Sequence, residues 1–540
     1  MKSSREIARA TGVVGITTLA SRILGLFRDM IVASYFGAGL ATDAFYVAFR
    51  IPNLLRRLVA EGSLSTAFVP VFTHELSQST DDARKAVGAV TAFTLLLTVT
   101  LTFLGVIYAE EITVLFAPGF GPGTEKTRLA AWLTQVMLPY VVLVSLLALA
   151  SSILNSLGYF AWPSLSPAIL NAAIIVCVLA SPIFPTEPIY VLAFAVLVGG
   201  LFALIPQLCL LKKLNFAMHL SSPFRSRAVK QLCKLMLPSI LSSSVYQLMI
   251  FINTLLASMC AEGSVTWLYY ADRLFQFPLG IYSLAIATAL LPALSRLAAS
   301  GDFDGLGRQL VNMLAWVSYV TIPATAGLII FSEAIVSTVY QHGRFSTLDA
   351  QATATAVMAF SIGLWPVSCQ SVLVRAFLAR KNSLLPSVTS CLSLVLNLLF
   401  AFLLMGPSVI VPDSQFASYL AFLQNKFAIF NFGHVGLALA GSLGAFISFF
   451  TLLAFRHVIV PNASLKTISV PVLKSLLAST AMCLVIKPIA SLNCAPWLML
   501  ALGIPLGMAT YFIASLLLSC EQSHQLCRML KAVLPSRASS

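Results

Sequence analysis

The sequence predicts an all-α integral membrane protein of about fourteen transmembrane helices. Of its 540 residues, 59% are hydrophobic and 10% are charged, and the mean hydropathy is +0.92, whereas about a quarter of the residues in soluble domains are charged. Apolar runs such as VTAFTLLLTVTLTFLGVIYA, residues 90–109, reach the roughly 20 residues that a helix needs to cross a bilayer. These runs are continuous rather than alternating, which favours helices over barrel strands.

Apolar segments follow one another along the whole chain, and we expect each of them to cross the membrane once. They are centred on residues 11–35, 42–70, 86–109, 128–156, 163–183, 188–211, 232–260, 267–295, 309–332, 352–378, 384–406, 433–456, 469–490 and 495–519. The longest connections, about 212–231 and 407–432, are too short for a soluble domain. The second connection is expected to contain a short interfacial helix.

Lysines and arginines in the connections predict the orientation of the chain. With the N-terminus inside, the inner connections hold twenty of these residues and the outer ones hold five. The outer five are Lys126, Arg128, Arg344, Lys426 and Lys487. Because cytoplasmic loops are the ones enriched in Lys and Arg, both termini are predicted to be cytoplasmic. The net charge of +14 is then a topology signal, and nucleic acid is not an expected partner because the basic residues are dispersed over short loops.

Motifs typical of enzymes are absent from the sequence. It contains no G-x-x-x-x-G-K-[ST], no G-x-G-x-x-G, no H-E-x-x-H and no G-x-S-x-G. The ten cysteines lack a C-x-x-C pair and the six histidines lack ligand spacing, so no metal site or cofactor is expected. A membrane enzyme acting on lipid-linked sugars would need clustered carboxylates, and Asp81 and Asp82 form the only tight acidic pair in a short inner loop. Because the phosphate-binding motif G-x-x-x-x-G-K-[ST] is absent, the chain is not expected to hydrolyse ATP. Any uphill transport would then depend on an ion gradient or the membrane potential.

A weak internal repeat appears at an offset of 222 or 223 residues. The pattern Y-x-A-x-R occurs at 46–50 and again at 269–273, and TAFVP at 66–70 corresponds to TALLP at 288–292. The repeat predicts two parallel six-helix lobes, 1–212 and 213–460, followed by two C-terminal helices and a cytoplasmic tail in 461–540. Substrates of transporters built from repeats bind between the halves, so Arg50 and Arg273 are expected in related positions around one centre.

Charged residues occur inside the predicted crossings, where they are costly. At 100° per residue, the second crossing places Asp43, Arg50, Arg57 and Glu61 on one stripe, with Arg56 beside it. The first crossing holds Arg22, Arg28 and Asp29, the eighth holds Asp272 and Arg273, and the tenth holds Arg375. Each charge facing lipid would cost roughly 2.5–3.5 kcal/mol. These side chains are therefore expected to face protein or water.

The acids cannot neutralise all of these cations. Seven intramembrane arginines stand against four acids, which leaves a surplus of three positive charges. A wet cavity with surplus guanidinium groups is suited to an anionic ligand, and the planar guanidinium fork matches phosphate in particular. Structural ion pairs and arginines that extend to the membrane surface are the alternative interpretation, above all for Arg56, Arg57, Glu61 and Arg375.

Three segments carry a resemblance to a known family. They are SRILGLFRDMIVASYFGAGLATDAFYVAFRIPNLLRRLVAEGSLSTAFVPVF (21–72), YYADRLFQFPLG (269–280) and VRAFLARKN (374–382). In these segments the sequence closely resembles the MurJ/MviN family of lipid II flippases, within the multidrug/oligosaccharidyl-lipid/polysaccharide exporter superfamily. The resemblance implies a transporter of fourteen helices in the bacterial cytoplasmic membrane. Its substrate would be lipid II, an undecaprenyl-pyrophosphate-linked glycopeptide, and the last two helices would accommodate the lipid tail.

The resemblance also assigns site residues. The essential arginines of the family fall on Arg22, Arg28, Arg56 and Arg273, and its acidic positions in the second helix fall on Asp43 and Glu61. Combined with the charge pattern, the expected substrate-binding residues are Arg22, Arg28, Arg50, Arg56 and Arg273. The residues expected to pair charges or to act in gating are Asp29, Asp43, Arg57, Glu61, Asp272 and Arg375.

The sequence departs from the family at a few positions. Gln276 stands where some relatives have a glutamate, and the crossings that carry a sodium site in some relatives lack acids here, which leaves Asn253 and Asn397 as polar candidates. An exporter of another lipid-linked oligosaccharide, or of drugs, is the alternative function within the superfamily. Drug exporters usually take cations, so the arginine surplus argues against that class.

Overall fold

The computed structural model describes residues 4–58, 64–409, 414–460, 465–492 and 494–533, and all regular structure in these ranges is helical. The N-terminal helices are α1 (Ser4–Phe36), α2 (Leu40–Leu55), α3 (Ser65–Gln78), α4 (Thr80–Ile107), α5 (Ala109–Phe116), α6 (Glu125–Met137), α7 (Tyr140–Leu157), α8 (Ala161–Ala180), α9 (Pro188–Lys213) and α10 (Arg227–Ser258). They are followed by α11 (Ser264–Ala299), α12 (Phe303–Ile330), α13 (Ser332–Tyr340), α14 (Thr347–Ile362), α15 (Leu364–Ala379), α16 (Leu384–Leu404), α17 (Gln415–Phe427), α18 (His434–Ala454), α19 (Leu465–Ala490), α20 (Pro496–Leu517) and α21 (Glu521–Val533).

The predicted all-helical membrane fold is confirmed, but the count of fourteen crossings is not. Within the described ranges, ten helical segments are long and apolar enough to cross a membrane, and α10 is an eleventh if its two bent halves form one span. These segments coincide with predicted crossings three to seven and nine to fourteen. The other three predicted crossings correspond to α1, to α2 with α3, and to α11. These helices carry most of the intramembrane charges.

The second predicted crossing, 42–70, is not one continuous α-helix. Helix α2 ends at Leu55, residues 56–58 adopt a wider π-type turn, and α3 begins at Ser65. Pro52 lies one turn before the break, and a proline has no amide hydrogen for the helical ladder and crowds the preceding turn. The α-helical stripe predicted from 100° per residue therefore stops before Arg57, and Glu61 lies outside the described residues.

The chain forms two compact units. The first comprises residues 1–266, 342–346 and 409–421, and the second comprises 267–341, 347–408 and 422–540. This division follows packing, whereas the predicted lobes, 1–212 and 213–460, follow the repeat. The lobe boundaries therefore stay a prediction.

Small residues let the helices of the first unit approach closely. Helix α8 packs against both α1 and α9. A Cβ atom on Gly25 of α1 would lie 3.3 Å from the Asn171 side chain of α8, and one on Gly199 of α9 would lie 2.6 Å from Leu170. Such contacts are typical of membrane helices, which associate through packing rather than through the hydrophobic effect.

In the second unit, α16 packs on α18, and α12 packs on α19. The α12 side includes Tyr511 of α20, whose hydroxyl donates to the Tyr319 carbonyl at 2.6 Å, while the Tyr319 and Ser515 hydroxyls lie 3.0 Å apart. Where α16 ends, a Cβ on Gly436 of α18 would lie 2.6 Å from the backbone carbonyl of Leu404. Close backbone contact therefore joins α16 to α18, and hydrogen bonds of buried hydroxyl groups join α12 to α20.

Replacing Gly436 with alanine should destabilise the second unit, because backbone cannot yield to the added methyl group as a flexible side chain could. We expect a loss of about 1–3 kcal/mol, the usual cost of overpacking, measured as a lower midpoint of thermal unfolding in detergent. Gly327→Ala in α12 is the matched control, since a Cβ there meets nothing within 4 Å and alanine is the better helix former. Equal midpoints for the two variants would contradict the close approach of α16 and α18.

Candidate functional site

Asp43 lies near the start of α2 and is almost completely buried, at 1% exposure. Its Oδ2 accepts from Lys126 Nζ and from the Gly263 amide, each at 2.8 Å. Its Oδ1 accepts from the Thr266 amide at 3.0 Å and from the Thr266 hydroxyl at 2.7 Å. Both carboxylate oxygens are therefore fully used by donors of the first unit.

These bonds explain how a buried carboxylate is tolerated at this point. Helix α11 begins at Ser264, so its first amides have no partner within the helix. Asp43 accepts from Gly263 and Thr266 at this end, where the helix dipole also favours negative charge. Lys126, in the first turn of α6, supplies the compensating cation. Asp43 thus ties three helix starts together.

Arg28 of α1 is bound to protein on two sides. Its Nε donates to Asp29 at 2.9 Å, and its Nη1 donates to the Asn171 side chain of α8 at 3.0 Å. Asn171 in turn donates to the Ser21 carbonyl at 3.1 Å. Arg28 and Asp29 form an ion pair, and both side chains are almost buried.

Arg50 of α2 points at α10. Its Nη1 donates to the Thr254 hydroxyl at 2.5 Å and to the Ile250 carbonyl at 3.3 Å. The Thr254 hydroxyl also donates to the Ile250 carbonyl, so both groups that accept from Arg50 lie on one turn of α10. These bonds hold α2 against α10 whatever else Arg50 contacts.

Arg22 differs from Arg28 and Arg50, whose guanidinium groups are bound by protein. It is half-buried in α1 and, within the described part of the chain, it has no hydrogen bond or ion pair. Arg57, in the turn after α2, lies 6.0 Å from the centre of the Tyr246 ring, which is the outer limit of a cation–π contact. Arg56, in the same turn, is half-buried. Arg22 therefore has its guanidinium hydrogens available for a ligand.

The second unit holds the remaining three predicted residues. Arg273 donates to the Tyr269 hydroxyl at 2.8 Å, with its guanidinium carbon 4.9 Å from the centre of the same ring. Asp272 accepts from Gln276 one turn later in α11. Arg375 of α15 donates to the Ser371 carbonyl at 3.1 Å.

The contacts of Asp43 change the count of charges. The predicted crossings contain seven arginines and four acids, which are Asp29, Asp43, Glu61 and Asp272. Asp43 pairs with Lys126, which is not one of the seven arginines. Three acids then remain for seven arginines, so the surplus rises from three positive charges to four.

Sequence reasoning missed Lys126, which it counted only as a loop residue, and Thr266. The repeat offset could have identified Thr266, since it lies 223 residues after Asp43. The position 223 residues after Lys126 is Asp349, which accepts from the Trp267 indole at 3.0 Å in the second unit. Repeat-related positions thus hold polar contacts at corresponding helix starts in both units, with different residues.

Of the two asparagines offered as polar candidates, Asn397 is fully buried and Asn253 is half-buried. Asn253 Oδ1 and both polar side-chain atoms of Asn397 have no hydrogen-bond partner in the described structure. Among the described residues, no three histidines, cysteines or acids lie together as a metal site would need.

Asn397→Leu should stabilise the protein if the Asn397 amide has no function. Asn397 is 0% exposed on α16, and a buried unpaired polar group costs about 1–3 kcal/mol. We expect a higher thermal midpoint in detergent with transport unchanged. A fall in stability would show that the amide has a partner in the working protein and would contradict this interpretation.

The fold is that of a multi-pass, all-helical membrane transporter. A structure titled as the inward-facing conformation of a multidrug resistance MATE family transporter of the MOP superfamily aligns with a TM-score of 0.67 over 83% of this chain and 98% of that chain, at 14% identity. At that identity the likeness concerns the fold alone.

Sequence comparisons identify the family more narrowly than the fold does. The family model described as "Lipid II flippase MurJ" matches residues 32–504. The "Lipid II flippase MurJ" of Burkholderia cenocepacia is 36% identical over 386 residues, 70% of this chain and 74% of that protein. The "Probable lipid II flippase MurJ" of Bdellovibrio bacteriovorus is 31% identical over 538 residues, 97% of each. A structure titled "Lipid II flippase MurJ, inward closed conformation" aligns with a TM-score of 0.76 at 26% identity, covering 93% of this chain and 97% of that one. The chain belongs to the MurJ family.

Proposed function

We propose that this protein is a lipid II flippase that moves the lipid-linked peptidoglycan precursor from the inner to the outer leaflet of the cytoplasmic membrane. The observation that carries the proposal is the family match over residues 32–504, together with relatives of the same name that align over up to 97% of their length. It is a transporter rather than an enzyme, and it moves the diphosphate headgroup without chemical change.

The arginine surplus supports a diphosphate as the bound group. A diphosphate needs several charge-assisted hydrogen bonds, and the guanidinium group makes two in parallel to one phosphate. Arg22 enters with open donors, while Arg28 and Arg273 are positioned by neighbouring side chains. We assign diphosphate contact to these three, and a supporting role to Arg50 and Arg56. Asp29, Arg57, Asp272 and Arg375 are assigned to charge pairing and gating.

The proposed mechanism is alternating access. The headgroup enters from the cytoplasmic side, the arginines bind it while the tail stays in lipid, and the protein then opens to the outside. Both termini are cytoplasmic in this scheme. An inside-negative membrane potential would favour outward movement of an anion by about 2.3 kcal/mol per charge per 100 mV. No cofactor takes part.

The experiment that tests this function measures lipid II at the cell surface. Bacteria depleted of their own flippase receive this chain, and an enzyme that cleaves lipid II is added outside. We expect cleavage to be restored by this chain and to remain absent with the empty vector. Cationic dye efflux is measured in parallel. Efflux without restored cleavage would refute the flippase and favour the drug exporter.

A further inference from the structure

An open cavity of about 870 Å³ lies in the second unit, and none of the arginines or acids assigned to lipid II lines it. It is bordered by the end of α11, the first turns of α12 and α19, and the residues that join α20 to α21. Its polar lining includes Asp302, Arg308, Gln309, Asn312, Lys474 and Glu521. The volume is in the range of small-molecule sites, which is roughly 300–1,000 Å³.

The cavity lies at the ends of three membrane-spanning helices. The apolar spans of α12 and α19 begin at Phe303 and Lys466, and that of α20 ends at Leu517. Helix ends mark the level at which lipid headgroups meet the protein. The cavity is therefore at headgroup depth rather than in the hydrocarbon core.

Charges of both signs line the cavity without pairing to one another. Arg308 and Lys474 are the cations, and Asp302 and Glu521 are the acids. In the described part of the chain no ion pair joins them. Asp302 instead accepts from the Gly305 amide at 2.7 Å, and Lys474 donates to the Ser519 carbonyl at 2.9 Å.

Apolar side chains continue from the cavity along the outside of α19. Leu473, Leu477 and Leu484 are 57%, 51% and 73% exposed, and they recur at helical spacing on this membrane-spanning helix. Acyl chains could therefore lie along α19 while their headgroup occupies the cavity.

We propose that this cavity binds the headgroup of a phospholipid that carries both a phosphate and a primary ammonium, as in phosphatidylethanolamine. The phosphate contacts Arg308 and Lys474, and the ammonium donates to Asp302 and Glu521. A zwitterion satisfies both pairs of charges at once, whereas a purely anionic headgroup leaves the acids unpaired. A quaternary ammonium matches the charge but cannot donate a hydrogen bond.

The proposal is tested on the purified full-length protein by native mass spectrometry during titration with phosphatidylethanolamine, phosphatidylcholine or phosphatidylglycerol. We expect the first lipid to bind about tenfold more tightly than the second, as one charge-assisted hydrogen bond implies. Glu521→Gln should reduce this preference, because Glu521 contacts the ammonium, whereas Lys474→Gln should weaken the binding of both lipids, because they share the phosphate. Arg528→Gln, which changes an exposed charge on the same helix as Glu521, should keep the preference.

Thermal unfolding in lipid-free detergent checks that the variants are folded. We expect wild-type midpoints, since neither Lys474 nor Glu521 lies in a core. Equal binding of phosphatidylethanolamine and phosphatidylcholine would overturn the proposal. So would a preference for phosphatidylglycerol, which indicates a site for anions. Unchanged preference in Glu521→Gln or unchanged affinity in Lys474→Gln would place the lipid elsewhere and would also overturn it. Competition by lipid II at this site would also overturn it, since the cavity would then belong to the transport route.

Discussion

Asp43→Asn is expected to abolish lipid II exposure and to lower the stability of the first unit. The asparagine side chain has one acceptor oxygen, whereas the Asp43 carboxylate accepts four hydrogen bonds. Lys126, whose side chain is 15% exposed, would be left as a nearly buried cation without its partner. Breaking one side of a buried ion pair costs about 3–5 kcal/mol. The measurement is thermal unfolding in detergent together with lipid II cleavage in complemented cells.

A matched control and a double variant separate the ion pair from the helix cap. Asp81→Asn removes an acid that is 77% exposed in a surface pair with Arg84, so its effect on stability should be close to zero. Adding Lys126→Met to Asp43→Asn removes the stranded cation and should restore part of the lost stability. If Asp43→Asn unfolds at the wild-type temperature, the contacts of Asp43 do not hold the three helix starts together.

Arg22→Ala is expected to slow transport severely while leaving the protein as stable as the wild type. Arg22 has no hydrogen bond or ion pair in the described protein, so its removal costs the fold little. Losing a bidentate phosphate contact should slow lipid II exposure by roughly tenfold to a hundredfold, the equivalent of one or two charge-assisted bonds. Arg22→Lys keeps the charge without the fork and should give an intermediate rate.

Arg50→Ala is the comparison variant for Arg22→Ala, because it removes an arginine whose hydrogen bonds hold two helices together. Arg50 binds the Thr254 hydroxyl and the Ile250 carbonyl, so its removal should lower the thermal midpoint by breaking the contact between α2 and α10. Function per folded molecule should fall less than in Arg22→Ala. If Arg22→Ala lost stability and kept full transport, Arg22 would be a structural residue and the diphosphate assignment would be wrong.

The positions of the membrane helices could be predicted because apolar runs are local properties of the sequence. The predicted crossings at 384–406 and 433–456 correspond to helices Leu384–Leu404 and His434–Ala454. The break after Leu55 was not predicted, although Pro52 offered a local signal for it. A long helix was expected there because the flanking residues remain apolar.

The partners of the charged residues could not be predicted, because they depend on distant residues. Lys126 lies 83 positions from Asp43, and Thr254 lies 204 positions from Arg50. A helical projection shows on which face of its own helix a side chain lies, but it does not show which other helix packs against that face. The surplus of positive charge inside the crossings stays a prediction, since it depends on which residues lie in the membrane.

The central claim is that membrane-embedded arginines of this chain carry a diphosphate headgroup across the bilayer. Its most direct test uses purified protein in vesicles that contain lipid II, with an imposed membrane potential and a lipid II-cleaving enzyme outside. We predict that wild-type protein brings the internal pool of lipid II within reach of the enzyme, whereas Arg22→Ala and Arg273→Ala leave that pool protected. Equal cleavage by wild-type and variant vesicles, or a pool that stays protected with the wild-type protein, would contradict the claim.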